Sequence, residues 1–414
     1  MLTHYYESPH FIELLRKRPG GSHFDGFAQD LWDAGYALIT ACRHMRAAQH
    51  LLYWSRRQRI RLEDLDYIQV QSFDRHLSRC RCQSFGRSDP SLGKGARLFV
   101  EYLGSVGIVA PLVAVIEPMP SALLVAFQHW MRENRSTSDG ALNNYSLAVS
   151  DLLQTLGEDP SHFDARSLRA FVLERIQKCG SSKATTMVTA LRMFVRFLIA
   201  EGQCSVGLDA AIPSLAQWRL SELPRYLQPE EVERVISACH PATALGIRDR
   251  AIVLLLARLA LRASDVVNLQ LGDVDWANAT IRVTGKGRRE THLPLSKELG
   301  DALLAYLTDV RPKVDTNILF VRSRAPLKGF ASHSAISVIV AKAMRRAGVV
   351  PATRGAAHIL RHSAATSMLR QGASLCDIAA VLRHQSIETT RIYAKVDFGT
   401  LELVSQPWPE MPPC

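Results

Sequence analysis

Apolar residues recur at helical spacing through the first half of the chain. From Phe27 to Leu52 the sequence FAQDLWDAGYALITACRHMRAAQHLL has this spacing, and Gly35 interrupts it between two predicted helices. Further helices are predicted over 67–77 and 96–107. A similar succession begins near Leu123, so the pattern predicts two four-helix units, at about 25–112 and 118–205.

The last helix of each unit suggests a duplication. The segments ARLFVEYLGSVG and ALRMFVRFLIAEG match at a constant offset of 95 residues, through Arg97/Arg192, Phe99/Phe194, Val100/Val195, Tyr102/Phe197, Leu103/Leu198 and Gly107/Gly202. Two amphipathic helices with aromatic residues also look alike without common ancestry. The shared spacing and the shared terminal glycine favour a repeat.

The helical pattern stops over 206–228, where two prolines and irregular spacing predict an interdomain linker. Pro229 fits the first position of a new helix, and the acidic pair Glu230-Glu231 suits the positive end of its dipole. The apolar run that starts at Ala251 predicts a buried helix to about Leu259.

A junction and a hairpin follow this helix. Arg262 stands between it and a helix opened by Ser264-Asp265, where an arginine either reaches a cleft or bonds the last carbonyls of the helix. ATIRVTG and ETHLPL alternate with period 2 and predict a hairpin with Lys286 at its tip. An exposed lysine at a hairpin tip often serves solubility alone, so Lys286 is by itself weak evidence for a ligand site.

These elements predict a mainly α-helical chain with a small antiparallel β-sheet. We expect a helical N-terminal domain, a second helical domain, a linker, a mixed α+β domain and a tail. Their predicted bounds are 1–115, 116–208, 209–228, 229–396 and 397–414. The apolar run at 401–404 of the tail suits docking on a neighbouring subunit or folding back on its own domain.

Charge narrows the class of partner. The chain has 414 residues and a net charge of +11, and a chain this basic often binds a polyanion such as nucleic acid. Both helical units carry basic residues that suit phosphate contacts but equally suit a solvated face, namely Arg43, Arg46, Arg56, Arg57, Arg59, Arg61, Arg166, Arg169, Arg175, Lys178, Lys183, Arg192 and Arg196.

Cysteine usage and hydropathy point to a cytoplasmic protein. The eight cysteines are scattered, the first residues lack an apolar signal-peptide core, and no apolar run reaches the roughly 18–20 residues needed to span a bilayer. Cys80-x-Cys82 with nearby His76 is a weak metal-binding pattern, because no second cysteine pair follows at a zinc-ribbon spacing. We therefore expect neither a metal nor another cofactor.

The densest candidate chemistry lies between Ala357 and Val396. His358 and Arg361 share a helix face, His384 follows, and Tyr393 comes nine residues after it. Such groups can bind a phosphate and attack it, provided that the rest of the chain supplies further cations. His362 also stands four residues after His358, as in metalloprotease helices, but Ile359 occupies the position of the required glutamate.

Packing around this cluster is also predicted. The small residues Ala364, Ala365 and Ser367 suit close packing of the helix that carries His358 and Arg361. Tyr393 lies among polar residues, which favours an exposed nucleophile over a buried core tyrosine; the neighbours are Thr389, Thr390, Arg391 and Lys395.

Four segments in this order resemble the motifs of the tyrosine recombinase (phage-integrase) family. LALRASDVVNLQLGDVDW is similar to the first arginine motif, TGKGRRETHLPL to the hairpin-lysine motif, AAHILRHSAATSML to the His-x-x-Arg motif, and LRHQSIETTRIYAKV to the tyrosine motif. The resemblance covers roughly 223–396, where it implies a mixed α+β catalytic domain. It extends less specifically over 118–205, where it implies a helical core-binding domain of SAM-like type, and residues 1–115 then form an extra, arm-like helical domain. Leu259-Ala260 replaces the family's common Thr-Gly, so the bend before Arg262 is made without glycine.

The resemblance implies a role for each residue. Arg262 and Arg361 flank the scissile phosphate, and His384 adds a hydrogen bond to it. Tyr393 attacks, His358 accepts its proton, and Lys286 protonates the departing 5′-oxygen.

The implied function is site-specific DNA recombination or integration for a bacterial mobile element, acting on double-stranded DNA sites. Four protomers, with or without sister recombinases, are implied by the family. The domain at 1–115 lies outside the usual two-domain plan and suits either extra DNA contact or a subunit contact. The alternatives are a type IB topoisomerase-like enzyme and an idle DNA-binding accessory protein.

Overall fold

The fold was examined in a computed structural model of the chain. It describes residues 1–18, 20–82, 85, 91–111, 121–137, 139–215, 223–284, 290–349, 355–384, 386–396 and 401–402. The chain forms two compact units, one made of 1–111 with 220–414 and the other of 112–219.

Helices account for most of the first part of the chain. They are α1 (Leu2–Tyr5), α2 (Pro9–Lys17), α3 (Phe24–Asp33), α4 (Leu38–Arg57), α5 (Tyr67–Leu77) and α6 (Ser91–Ser105). Gly35 separates α3 from α4 with a φ of +76°, as its position in the sequence predicts. The core between α3, α4 and α6 is aromatic, with the Phe99 ring 5.4 Å from Phe24 and 5.1 Å from Phe27.

The second unit is a bundle of four helices: α7 (Ala122–Arg135), α8 (Asp139–Leu156), α9 (Ala165–Gln177) and α10 (Ser181–Ala200). Its core contains Phe127, Phe194 and Leu198, all fully buried. The last helices of the two predicted repeats end at Ser105 and Ala200, again 95 residues apart. Gly107 and Gly202 then take φ values of +77° and +71°, which is the left-handed conformation that glycine adopts most easily.

The remainder combines helices with a small sheet. The elements are α11 (Pro229–Ser237), α12 (Ala244–Arg258), α13 (Ala263–Asn268), β1 (Val274–Asp275), β2 (Thr280–Thr284), β3 (Glu290–Pro294), α14 (Lys297–Ala305), α15 (His333–Arg346), α16 (Ala356–Arg370) and α17 (Leu375–Leu382). Both strand pairs are antiparallel, in the order β1-β2-β3. The mainly helical fold with a small antiparallel sheet is therefore confirmed.

Short turns complete the described elements. Tyr306–Val310 continues α14 as a π-helix, and 3-10 helices cover Gly21–His23, Leu62–Asp64, Pro160–His162, Leu208–Ala211, Leu271–Asp273, Ile387–Thr389 and Arg391–Val396. None of the helices in the described residues is both long enough and apolar enough to cross a bilayer.

Helix α12 is the centre of the larger core. Its residues from Ala251 to Leu256 are completely buried, as the apolar run predicts. It packs against α11, α14, α15 and α16, so the ends of these helices are held rigidly relative to one another. The N-terminal helices join the same unit where the Leu327 amide donates to the Ala34 carbonyl at 2.9 Å.

Candidate active site

Arg262 lies at the start of α13, directly after the bend that follows α12. Ala260 makes this bend with a φ of +50°, a conformation that costs a non-glycine residue roughly 1–2 kcal/mol. The Arg262 backbone amide donates to Asp265 Oδ2 at 2.8 Å and fixes the start of α13. The guanidinium then reaches the carbonyl oxygens of Leu382 and Arg383, at 3.3 and 3.1 Å.

Arg361 meets Arg262 at one of these carbonyls. It projects from α16, is almost fully buried, and donates to the carbonyl oxygens of Ala260 and Leu382. Burial, followed by the positive field of Arg262, lowers the pKa of Arg361 to about 10, so it stays cationic at neutral pH. Two guanidinium groups therefore converge on the Leu382 oxygen.

Tyr393 is buried, and the prediction of an exposed nucleophile was wrong. It lies in the 3-10 helix Arg391–Val396, only 1% exposed, among Ala260, Ala364 and Leu382. The small side chains leave room for the ring, and its hydroxyl lies 2.8 Å from His362 Nδ1. Burial raises the pKa of Tyr393 to about 12 against the opposing field of Arg361, so the phenol is protonated at neutral pH.

Two further histidines lie in the same electrostatic field. Partial desolvation, then Arg361 and Arg262, lower the pKa of His358, which lies one turn before His362 with ring centres 4.9 Å apart. Burial, then Arg361, Arg262 and His358, lower the pKa of His384 to about 4. His384 Nδ1 lies 2.8 Å from the Thr390 hydroxyl, which leaves Nε2 for another partner. His362, whose pKa burial lowers to about 4, and His384 are thus neutral at pH 7.

An open cleft of about 890 Å³ runs beside these groups. Arg262 and His358 line one part of it, and α15 lines another through Ser334, Ser337 and Arg345. The exposed His358 and the half-buried Arg262 therefore face solvent, whereas Arg361 and Tyr393 are buried and do not line the cleft.

Lys286 lies outside the described residues. The strands on either side of it, β2 and β3, pair from Thr280 opposite Pro294 to Thr284 opposite Glu290. The two paired strands predicted from the sequence are thus present, and the turn that carries Lys286 stays a prediction.

Two site residues were missed from the sequence. His362 was considered only as a zinc ligand, although its place directly after Arg361 was a usable signal. Arg383 ends α17 with a φ of +53° and forms a buried ion pair with Asp265, which lies 118 residues earlier in the chain. Two Arg383 donors, Nε and Nη1, are buried without a partner in the described structure.

Several basic residues proposed for phosphate contact in the second unit have partners within it. Arg175 binds Asp151 at 2.8 Å, and Arg196 binds Asp209 at 2.8 Å. Arg192 donates to the Ile212 carbonyl at 3.0 Å. These contacts tie helices and turns of the bundle together, so the residues give weaker support for DNA contact than their sequence pattern suggested.

The chain is similar to known integrases and recombinases. Residues 225–399 match the model of the Phage integrase family. The chain is 36% identical to Putative integrase/recombinase y4rA of Sinorhizobium fredii (strain NBRC 101917 / NGR234), over 92% of the chain and 93% of that relative. It is 30% identical to tyrosine recombinase XerC of Lactobacillus delbrueckii subsp. bulgaricus, over 66% of the chain and 94% of that relative.

The fold also matches a solved structure. The XerH site-specific recombinase, bound to palindromic difH substrate in a post-cleavage complex, aligns with a TM-score of 0.56 and 18% identity. The match covers 70% of this chain and 96% of that structure.

Proposed function

Because the chain belongs to the phage-integrase family of tyrosine recombinases, it is a site-specific recombinase, and we propose that it cleaves and rejoins DNA through a covalent 3′-phosphotyrosyl bond to Tyr393. The observation that carries this proposal is the meeting of Arg262 and Arg361 on one oxygen, close to the buried Tyr393. Paired guanidiniums suit a phosphodiester because each donates parallel hydrogen bonds and stays charged.

The Leu382 carbonyl takes the place of a phosphate oxygen in this proposal. It accepts hydrogen bonds from both guanidiniums, as a non-bridging oxygen of the scissile phosphate would. The Arg383 carbonyl accepts a second bond from Arg262. A phosphate oxygen that takes over these bonds displaces the carbonyls, so we propose that DNA binding is coupled to movement of the segment from Leu382 to His384.

The reaction begins with deprotonation of Tyr393. The hydroxyl proton passes to a histidine. His362 is the first candidate because it contacts the Tyr393 hydroxyl, and His358, which the sequence favours, is the alternative. The phenolic oxygen then attacks phosphorus, and the bond from phosphorus to the 5′-oxygen breaks. Lys286 supplies the proton of the 5′-hydroxyl that leaves.

Rejoining reverses these steps. A 5′-hydroxyl from the partner strand attacks the phosphotyrosyl bond, so no external energy source enters. His384 donates from Nε2 to the phosphate while Thr390 holds Nδ1. The two arginines supply the positive charge for the transition state, and the proposal assigns no metal or cofactor to this chemistry.

The partner proposed for this site is double-stranded DNA carrying a specific recombination site. XerH was solved bound to palindromic difH substrate in a post-cleavage complex, which supports a DNA-site partner for this chain. The similar proteins named as integrases support a role in moving a bacterial genetic element. Four protomers, alone or with sister recombinases, would assemble on two sites. A DNA substrate would place the chain at the bacterial nucleoid.

We also propose a role for each predicted domain. Residues 116–208 would bind the core site, 229–396 would carry out the chemistry, and 209–228 would link them. Residues 1–115 would act as an arm or a subunit contact. The tail at 397–414 lies outside the described residues except for 401–402.

A nicked suicide duplex tests the proposal. The duplex carries repeats that flank the gene. Because of the nick, the short fragment that carries the freed 5′-hydroxyl diffuses away after cleavage, so the covalent protein–DNA complex accumulates. We expect a covalent band with the native chain and none with Tyr393→Phe, while both bind the duplex. Binding without a band for the native chain would favour an accessory protein, and relaxation of any supercoiled plasmid would favour a topoisomerase.

A further inference from the structure

A second cluster of reactive side chains lies in the N-terminal helices. His50 is on α4, His76 is on α5, and Cys80 and Cys82 follow the end of α5. One donor atom from each of the four residues falls within a group in which all separations are at most 4.8 Å. The tyrosine recombinase chemistry uses none of them.

The separations agree with a tetrahedral zinc site. Cys80 Sγ lies 3.5 Å from His50 Nε2, and Cys82 Sγ lies 3.6 Å from His76 Nε2. Zinc–sulfur bonds of about 2.3 Å and zinc–nitrogen bonds of about 2.0–2.1 Å, at a tetrahedral angle, separate the two ligand atoms by about 3.6 Å. Two independent pairs therefore have the spacing of ligands around one ion.

The surroundings hold the ligands in place. The Cys82 backbone amide donates to Cys80 Sγ at 3.3 Å, a contact that stabilises negative charge on a sulfur ligand. The buried His50 ring stacks on Phe85 with centres 4.5 Å apart and meets the edge of Phe73. Its Nε2 faces the Cys80 sulfur, and its Nδ1 has no partner among the described residues.

We propose that His50, His76, Cys80 and Cys82 bind one Zn²⁺ ion. Two thiolates and two imidazoles complete a tetrahedral shell and leave no open position, which is the arrangement of a structural site. The ion would fasten the segment after α5 to α4, within the N-terminal part of the chain. The sequence did not reveal His50 as the fourth ligand, because it lies 26 residues before His76, on another helix.

The alternative is a pair of thiol–imidazole hydrogen bonds, which have similar lengths. The metal content of the purified protein distinguishes a zinc site from these hydrogen bonds. The full-length chain, without a histidine tag, is purified, incubated with Zn²⁺ and separated from free ion. Its zinc content is then measured by inductively coupled plasma mass spectrometry. We expect about one zinc ion per chain, at least a tenfold loss in Cys80→Ser/Cys82→Ser, and full retention in the control Cys179→Ser, which lies in the other compact unit.

Cobalt gives a readout that needs no variant. Co²⁺ bound by the native chain should show the intense visible bands of tetrahedral cobalt together with thiolate-to-cobalt charge transfer. A native chain that retains no zinc, a double variant that retains as much as the native chain, or a pale octahedral cobalt spectrum would each overturn the proposal.

Discussion

His362 Nδ1 and the Tyr393 hydroxyl lie 2.8 Å apart, although 31 residues separate them in the chain. This contact joins α16 to the last 3-10 helix of the site and gives the proposed nucleophile a hydrogen-bonding partner. Since the phenol has a pKa of about 12, its attack on phosphorus depends on a group that receives its proton.

Replacing His362 with alanine should slow DNA cleavage while leaving DNA binding intact. A positioned general base contributes roughly 10²–10⁴-fold, so we expect a loss of at least about 10²-fold in the rate of covalent complex formation. His240→Ala, at an exposed position after α11, is the control and should leave the rate unchanged. If His362→Ala cleaves normally and His358→Ala does not, the proton passes to His358.

Replacing Arg361 with lysine should impair both catalysis and stability. A lysine lacks the planar guanidinium group, so it cannot donate to both carbonyl oxygens that Arg361 now binds. A buried carbonyl oxygen left without a donor costs about 1–3 kcal/mol. We expect a fall of this size in the free energy of unfolding and a cleavage rate about 10²–10³-fold lower.

Arg391→Lys is the matched control for that substitution. Arg391 is exposed and pairs with Glu388 at 2.9 Å, two residues before Tyr393. Surface pairs of this kind contribute little, so the free energy of unfolding should change by about 0.5 kcal/mol or less. Equal effects of the two substitutions would argue against the special position of Arg361.

Replacing Ala260 with glycine should change the stability of the fold little, whereas replacing it with valine should lower it. Glycine relieves the left-handed backbone but loses a buried methyl group, so the free energy of unfolding should stay within about 1 kcal/mol of the native value. Valine adds strain at φ +50° and crowds Tyr393, with an expected loss of about 2–4 kcal/mol. Denaturant unfolding measures both, and equal stabilities of the two variants would contradict this account.

Local patterns account for what could be predicted from the sequence. Pro229 begins α11, Gly35 separates two helices, and the alternating strands pair as a hairpin, because each depends on neighbours in the chain. The place of Arg262 between two helices also follows from local signals. Family membership followed from the order of four motifs.

Contacts between distant segments account for the failures. Tyr393 is buried because Ala260 and Ala364, from two other elements, leave a space that its polar neighbours in sequence do not reveal. Likewise, the pairing of Arg383 with Asp265 and the approach of His50 to Cys80 exist only after the chain folds. A single sequence contains no direct signal for such pairs.

The stability of the chain should fall in mild acid, partly through His362. Burial, then His358 and Arg361, lower its pKa to about 4, against about 6.5 for a histidine in the unfolded chain. Between these pH values the unfolded chain binds a proton that the folded chain does not. The free energy of unfolding therefore falls as the pH drops from about 6.5 to about 4 and is insensitive to this group above that range.

Comparison with His362→Gln isolates this contribution. The native chain should lose up to about 3 kcal/mol more than the variant over that range, measured by denaturant unfolding at several pH values. Identical slopes for the two proteins would show that His362 is not desolvated in the folded state.

The central claim, that Tyr393 carries the covalent DNA bond, is tested most directly by mapping the attachment site. The complex trapped on the nicked duplex is digested with nuclease and trypsin, and the modified peptide is sequenced by mass spectrometry. Cleavage after Arg391 and Lys395 should release the peptide Ile392–Lys395 with a nucleotide on Tyr393. A nucleotide found on any other residue, or a covalent complex formed by Tyr393→Phe, would contradict the account.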